Sequence, residues 1–316
     1  MLLFIAVGMS GASQAQDPAL SHFFANPLYL NPALAGTDGP ARVFVGYRNQ
    51  WPGATSPYVT YHASWDQHIE VLQGGVGLHI MNDRQGGGVF NTLSVDAAYA
   101  YHLKVSRWLH FTGGLQVSLG QRNMNPDGLV LPEELNGTLS GSLYGYSKLY
   151  PDFSAGISFG YRNLYGGFAT HHLLQPYLSV SENPDAKLRR RYTLHAGIMI
   201  PVFEKRFGTE LLQLSPNLIF VYQGIYQQIN YGFEVIYKGL LGGLWFRQDL
   251  IFSTGALIFS AGYSWEKVSV RYSYDAKLSS PEIHIPSMGA HEISMMISFE
   301  NLKKSTKQRA IKSPRF

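Results

Sequence analysis

The stretch from Leu93 to Lys104, LSVDAAYAYHLK, sets Leu93, Val95, Ala97, Tyr99, Tyr101 and Leu103 against the interleaved Ser94, Asp96, Ala98, Ala100, His102 and Lys104. A repeat of two residues puts alternate side chains on opposite faces of a strand, so one face here is greasy and the other small or wet. The pattern recurs downstream. Ile229, Tyr231, Phe233, Val235 and Tyr237 alternate with Asn230, Gly232, Glu234, Ile236 and Lys238, and Val268, Val270, Tyr272 and Tyr274 alternate with Ser269, Arg271, Ser273 and Asp275.

Fourteen such strands can be marked, beginning near Arg42, Tyr58, Gly75, Thr92, Trp108, Phe153, Leu164, Tyr192, Leu212, Gln227, Leu240, Thr254, Val268 and His291. The number is even, as bacterial outer-membrane barrels prefer. Connections after the fourth, sixth, tenth and twelfth strands are tight, around Val105-Ser106, Asn163, Gly239 and Glu266. Those after the fifth, seventh and thirteenth are long: Asn123 to Pro151, His172 to Arg190 and Ala276 to Ala290. Two even-numbered connections, near His68 to Gln73 and Glu204 to Glu210, are longer than this scheme wants. A soluble β-sandwich also alternates, but short turns at one end and long loops at the other are the asymmetry of a membrane barrel, with the short turns periplasmic. The expected fold is all-β: a transmembrane antiparallel β-barrel of about 14 strands in a Gram-negative outer membrane, both termini periplasmic.

Composition agrees. Of the 316 residues, 15% are charged, against roughly 25% in an average soluble protein, while 14% are aromatic, with 20 Tyr, and 33 are Gly. No run of 18 apolar residues exists to cross a membrane as a helix, so a crossing must use strands. Zero Cys excludes a disulfide scaffold and thiolate metal sites.

Four segments follow. Residues 1–15 read as a signal peptide, an apolar core (MLLFIAVGM) followed by a small-x-small site at Ser13-Gln14-Ala15, without a basic start; a buried first strand is the other reading. Residues 16–40 form a periplasmic or lumen-entering lead, residues 41–300 the barrel, and residues 301–316 a basic periplasmic tail with Lys303, Lys304, Lys307, Arg309, Lys312 and Arg315. Trp51, Trp65, Trp108, Trp245 and Trp265 lie near strand ends, where an amphipathic ring suits the membrane interface; core filling is the alternative.

No catalytic set emerges. The 11 His are scattered, and neither HExxH nor G-x-S-x-G occurs. The Gly-rich stretches at 74–77 and 86–88 lack the Lys-Ser/Thr of a phosphate loop. No catalytic residue, metal ligand or cofactor site is assigned. His62, His79, His102, His110 and His195 fall on inward strand positions and read as lumen lining. Inward charges are mixed: Arg48, Lys104, Arg162, Lys238 and Arg271 against Asp66, Asp96, Glu234, Asp275 and Glu292. Unpaired charge in a narrow barrel is costly, so Arg48, Asp66, Asp96, Arg162, Glu234, Arg271, Asp275 and Glu292 are expected to act as struts across the lumen. The net charge of +4 comes largely from the tail and gives little support to a nucleic-acid partner.

Three stretches resemble the PorP/SprF family of type IX secretion proteins. Asn26-Pro27-Leu28-Tyr29-Leu30-Asn31-Pro32-Ala33-Leu34-Ala35-Gly36, preceded by Gln16-Asp17-Pro18, is similar to the family's N-P-x-x-x-N-P-A-x-A-G opening. Leu164 to Pro176 (LYGGFATHHLLQP) is similar to its central segment, G-x-S-x-H-L-x-x-P, with Ala169-Thr170 before the His pair. Tyr274-Asp275 and Gly289-Ala290-His291-Glu292-Ile293-Ser294 resemble its terminal elements, with Ala290 where Ser is usual. The resemblance implies a non-enzymatic outer-membrane protein of Bacteroidota. It also implies partners: outer-membrane lipid, the periplasmic lipoprotein ring of the type IX secretion and gliding apparatus, and large secreted adhesins with C-terminal sorting domains. From the residues alone, the paired Asn-Pro steps fix turns and remove donors, so Asn26, Pro27, Asn31, Pro32 and Gly36 mark a rigid segment that plugs or docks. An ordered but functionless lead-in is the alternative. A passive channel for small solutes is the rival function, since mixed lumen charge would permit one.

Overall fold

The computed structural model describes residues 17–54, 56–125, 145–178, 187–204, 210–250, 255–278 and 289–299. The expected signal peptide, basic tail and much of the long loops lie outside them. Among the described residues there are fifteen strand segments: β1 (Ala41–Gln50), β2 (Tyr58–Ile69), β3 (Gly74–Gln85), β4 (Phe90–Lys104), β5 (Leu109–Met124), β6 (Tyr146–Tyr161), β7 (Leu164–His171), β8 (Arg191–Ile198), β9 (Ile200–Glu204), β10 (Glu210–Gln223), β11 (Tyr226–Tyr237), β12 (Leu240–Asp249), β13 (Gly255–Ser264), β14 (Val268–Lys277) and β15 (Ala290–Phe299).

Apart from β8 and β9, consecutive strands pair antiparallel, and β1 pairs with both β2 and β15, so the sheet closes on itself. β8 and β9 both pair with β10, in the same register apart from a bulge at Leu212, and are two halves of a single stave, which gives a closed barrel of fourteen staves. Their interruption at Met199 falls opposite the Ser215-Pro216 step of β10; Pro216 has no N–H for the ladder there. Closure leaves no unpaired edge in the membrane, which is what allows strands to cross it.

The two faces settle membrane barrel against soluble sandwich. Outward positions are apolar and exposed, as at Leu115 (67%) and Ile157 (62%), whereas Asp66, His79, Asn230 and Glu292 point inward and are at most 1% exposed. Polar inside and greasy outside is the inverse of a soluble core. Val95, Tyr99 and Tyr101 face out and Asp96, Ala98 and Ala100 face in, as the periodicity requires. Trp108 and Trp265 are exposed at the short-turn mouth. Trp245 is the exception: it lies inside the lumen at 2% exposure.

Two boundaries differ from the sequence reading. β5 runs to Met124 and β6 begins at Tyr146, so the connection is residues 125–145 instead of 123–151. Pro151 sits inside β6 opposite Leu119. The described residues begin and end at opposite mouths of the barrel. Asp17 lies beside His172 at the long-loop mouth, while Phe299 pairs with Ala41 at the short-turn mouth. The cause is the path of residues 17–40, which run the length of the lumen to Gly39, whose carbonyl accepts from His68 N–H next to a short turn.

Candidate functional site

The lumen is occupied by the protein's own N-terminal segment. Each Asn-Pro step starts a helical turn, Pro27–Leu30 and then the 3-10 turn Pro32–Leu34. The Asn26 side chain accepts from Tyr29 N–H (3.3 Å) and the Asn31 side chain from Ala33 N–H (2.9 Å). Asn caps the free N–H groups and Pro at the first helical position has no N–H to leave unpaired.

The same amides hold the wall with their other end. Asn26 Nδ2 donates to His79 Nε2 (2.9 Å), and His79 Nδ1 donates to Asp96 (2.6 Å). Asn31 Nδ2 reaches the Ile157 carbonyl (3.0 Å) and His195 Nε2 (3.2 Å). Asn carries an acceptor oxygen and a two-proton NH2 donor at separate ends of one short amide, so it can cap and reach the wall at once, whereas an ionised Asp has no donor. Both residues are fully buried.

Wall glycines let the backbone approach. A Cβ at Gly75 would lie 2.0 Å from the Ala35 carbonyl oxygen, and one at Gly114 would lie 2.4 Å from Ala33 N. On the far side Phe24, Leu30 and Leu34 pack with Tyr165, Met199, Ile219, Trp245 and Ile258, and Phe23 tilts on Trp245 at 5.2 Å. The segment is held by a greasy seam on one side and close backbone contact on the other.

Three charged clamps fix it along its length. At the short-turn mouth Arg42 forks onto Asp66 (3.1 and 2.7 Å) and also bonds Asp38, and Asp66 accepts from Gly36 N–H (2.7 Å). Higher up, Arg48 pairs with Asp275 (2.9 Å) and Glu292 (3.1 Å), and Arg247 with Asp275 (2.8 Å). Glu292 accepts from Ser21 N–H (2.6 Å) and His22 N–H (3.0 Å), the Ser21 hydroxyl donates to Asp275 (2.6 Å), and Arg247 reaches the Leu20 carbonyl (2.7 Å).

At the long-loop mouth Asp17 pairs with His172 (2.8 Å) and Arg191 (2.9 Å). Arg191 also donates to the Tyr29 carbonyl (2.7 Å) and stacks on the Tyr29 ring at 4.1 Å, and His172 Nδ1 bonds Asp152 (2.6 Å). Burial would discharge His172, but the Asp17 and Asp152 carboxylates overcome it and push its pKa up to about 9. Burial also opposes charge on Asp17, yet His172 and Arg191 hold its carboxyl well below the usual range.

Of the eight inward charges read as struts, seven lie in the lumen. Arg48, Asp275 and Glu292 form one cluster, Asp66 pairs with Arg42, Asp96 with His79, and Arg271 with Glu234 at 2.6 Å. Arg162 does not: it occupies a two-residue turn at positive φ, exposed, with its guanidinium over Trp108 at 5.5 Å. Lys104 and Lys238 likewise sit at strand ends or turns. Sequence reasoning missed Asp17, Arg42, Arg191 and Arg247. Arg42 shares the parity of Arg48, and Arg247 that of Trp245, so alternation carried the signal for both. Among the described residues no group of three or more His, Asp or Glu could hold a metal.

The family described as Type IX secretion system membrane protein PorP/SprF matches residues 12–297. The chain belongs to the PorP/SprF family. That family is one of secretion-system membrane barrels and not a known enzyme family. With this barrel, membership places the protein in the outer membrane. No curated protein matches it. Among solved structures it is similar to the CymD monoaromatic hydrocarbon channel (14% identity, 88% of this chain and 93% of that one, TM-score 0.50). It is also similar to the P. putida toluene transporter TodX (11% identity, 87% and 94%, TM-score 0.50). At such identities the likeness extends to the fold.

Proposed function

We propose that this PorP/SprF protein serves the type IX secretion and gliding machinery as a plugged outer-membrane scaffold, without enzymatic activity. In this role it binds large adhesin-like cargo bearing C-terminal sorting domains and assists their secretion or surface attachment. The short-turn mouth faces the periplasm and its lipoprotein ring, with the basic tail on that side; the long-loop mouth faces outward, where cargo is held. The observation that carries the reading is the lumen itself, crossed by residues 17–39 under three charged clamps in a member of this family. The Asn-Pro segment is the plug, and Arg48, Asp275 and Glu292 are its central strut.

A passive channel is the second reading, favoured by the barrel's likeness to the hydrocarbon channel and toluene transporter. The occupied lumen weighs against it. Affinity purification of the tagged protein from native membranes decides the leading reading. Secretion components or a large adhesin should co-purify; recovery of the barrel with neither rejects it.

A further inference from the structure

His68 of β2 and His102 of β4 meet near the short-turn mouth although their strands are not neighbours. Both lie on the lumen face of their strands and both are half-buried. Strands two apart are separated by about 10 Å, and β3 between these two puts Gly75, with no side chain, level with His68 and Ala100. The rings therefore close over β3. Their planes are 21° apart, their centroids 5.1 Å apart, and Nδ1 faces Nδ1 at 3.2 Å.

The ring protons follow from the contact on the other side. His102 Nε2 lies 2.9 Å from the Ala35 carbonyl oxygen, which can only accept, so Nε2 carries the proton of the neutral ring and Nδ1 presents a bare lone pair. That lone pair faces His68, and one proton on His68 Nδ1 fills the gap between the rings. Moving this proton to the other nitrogen of His68 leaves two lone pairs 3.2 Å apart.

Two imidazole nitrogens that bind one ion at about 2.0–2.1 Å each stand roughly 2.9–3.4 Å apart when the angle between them lies between about 90° and 109°. The observed separation falls in that window. The far nitrogen of His102 is locked on a backbone carbonyl, the contact that orients a metal-bound His and raises its basicity. The charged groups that act on the rings are carboxylates, Glu70 on His68 and Asp66 on His102, and they favour an incoming cation. Imidazole suits copper, nickel and zinc, whereas magnesium and calcium take oxygen ligands. We propose that His68 and His102 form a two-imidazole site for a divalent transition-metal ion, with water in its remaining positions. The ion staples β2 to β4 and, through the bond from His102 to Ala35, holds the N-terminal segment near the short-turn mouth.

The test uses the full-length, tag-free barrel in detergent, with Cu2+ as the probe and Mg2+ as the oxygen-seeking control. Equilibrium dialysis should find one tightly held Cu2+ per barrel and no Mg2+, and pulsed electron paramagnetic resonance of that ion should show two imidazole ligands. His68→Gln and His102→Gln should each weaken Cu2+ affinity at least about tenfold and remove the two-imidazole signature. His291→Gln, at the opposite mouth, should change neither. Cu2+ should also slow protease cleavage within residues 17–40 of the intact protein and leave that of His68→Gln unaltered. Retained heat-modifiable migration on gels establishes that each variant is folded; if His102→Gln, which also loses the Ala35 contact, fails to fold, His68→Gln carries the test. Absence of a stoichiometric Cu2+, an ion with fewer than two imidazole ligands, or undiminished affinity in folded His68→Gln overturns the site, and unchanged cleavage of the intact protein overturns the staple.

Discussion

Gly75 of β3 and Ala35 of the N-terminal segment touch so closely that a Cβ on Gly75 would sit 2.0 Å from the Ala35 carbonyl oxygen. A real Cβ cannot occupy that space, so even the smallest side chain must push the segment off the wall. Gly75→Ala should leave barrel insertion intact but cost about 1–3 kcal/mol of segment docking. Faster protease cleavage within residues 17–40 of the reconstituted variant is the expected result.

The Arg48, Asp275 and Glu292 cluster is buried on every side. Removing one member strands the others' charge, and breaking a buried pair in this way costs about 3–5 kcal/mol. Arg48→Met should therefore destabilise strongly, and adding Glu292→Gln should recover part of the loss. Denaturant unfolding in lipid vesicles, run as a double-mutant cycle, measures the coupling; strictly additive losses would remove the strut role.

The amide ends of Asn31 explain a third expectation. Asn31→Asp keeps the capping oxygen for Ala33 but loses the donor to Ile157 and His195 and buries a new charge. It should destabilise more than Asn31→Ser, which keeps a cap and adds no charge. Thermal unfolding of the two variants ranks them.

Much of the barrel is legible in the sequence because a strand's period survives any tertiary detail. Inward parity locates the lumen face of β4, β11 and β14 directly, and with it Asp96, Glu234, Arg271 and Asp275. What alternation cannot carry is distance along the strand. Arg162 and Lys238 belong to turns because the strands stop before them, and Trp245 reads as an interface residue only if strand-end position is weighed above parity. Which inward groups meet depends on the path of residues 17–40, whose short helical turns have no strand period to reveal it. Asp17, clamped by two groups from other elements, therefore carries no local signal.

The latch at the long-loop mouth is pH-sensitive in a defined direction. His172 has its pKa raised to about 9, above its ordinary value near 6.5. Its stabilisation is thus fully present below about pH 6.5 and lost as pH rises through about 9. A fluorophore at position 19 of an Ala19→Cys variant should gain mobility between pH 8 and 10, and His172→Gln should abolish that transition.

Residues 17–39 fill the lumen of an outer-membrane barrel, and the scaffold role depends on that occupancy. Single-channel recording in planar bilayers reads it out, comparing the intact protein with a variant lacking residues 17–36. A plugged lumen gives no large steady current from the intact protein and a steady open channel from the deletion variant. Large steady currents from the intact protein, equal to those of the deletion, would contradict it.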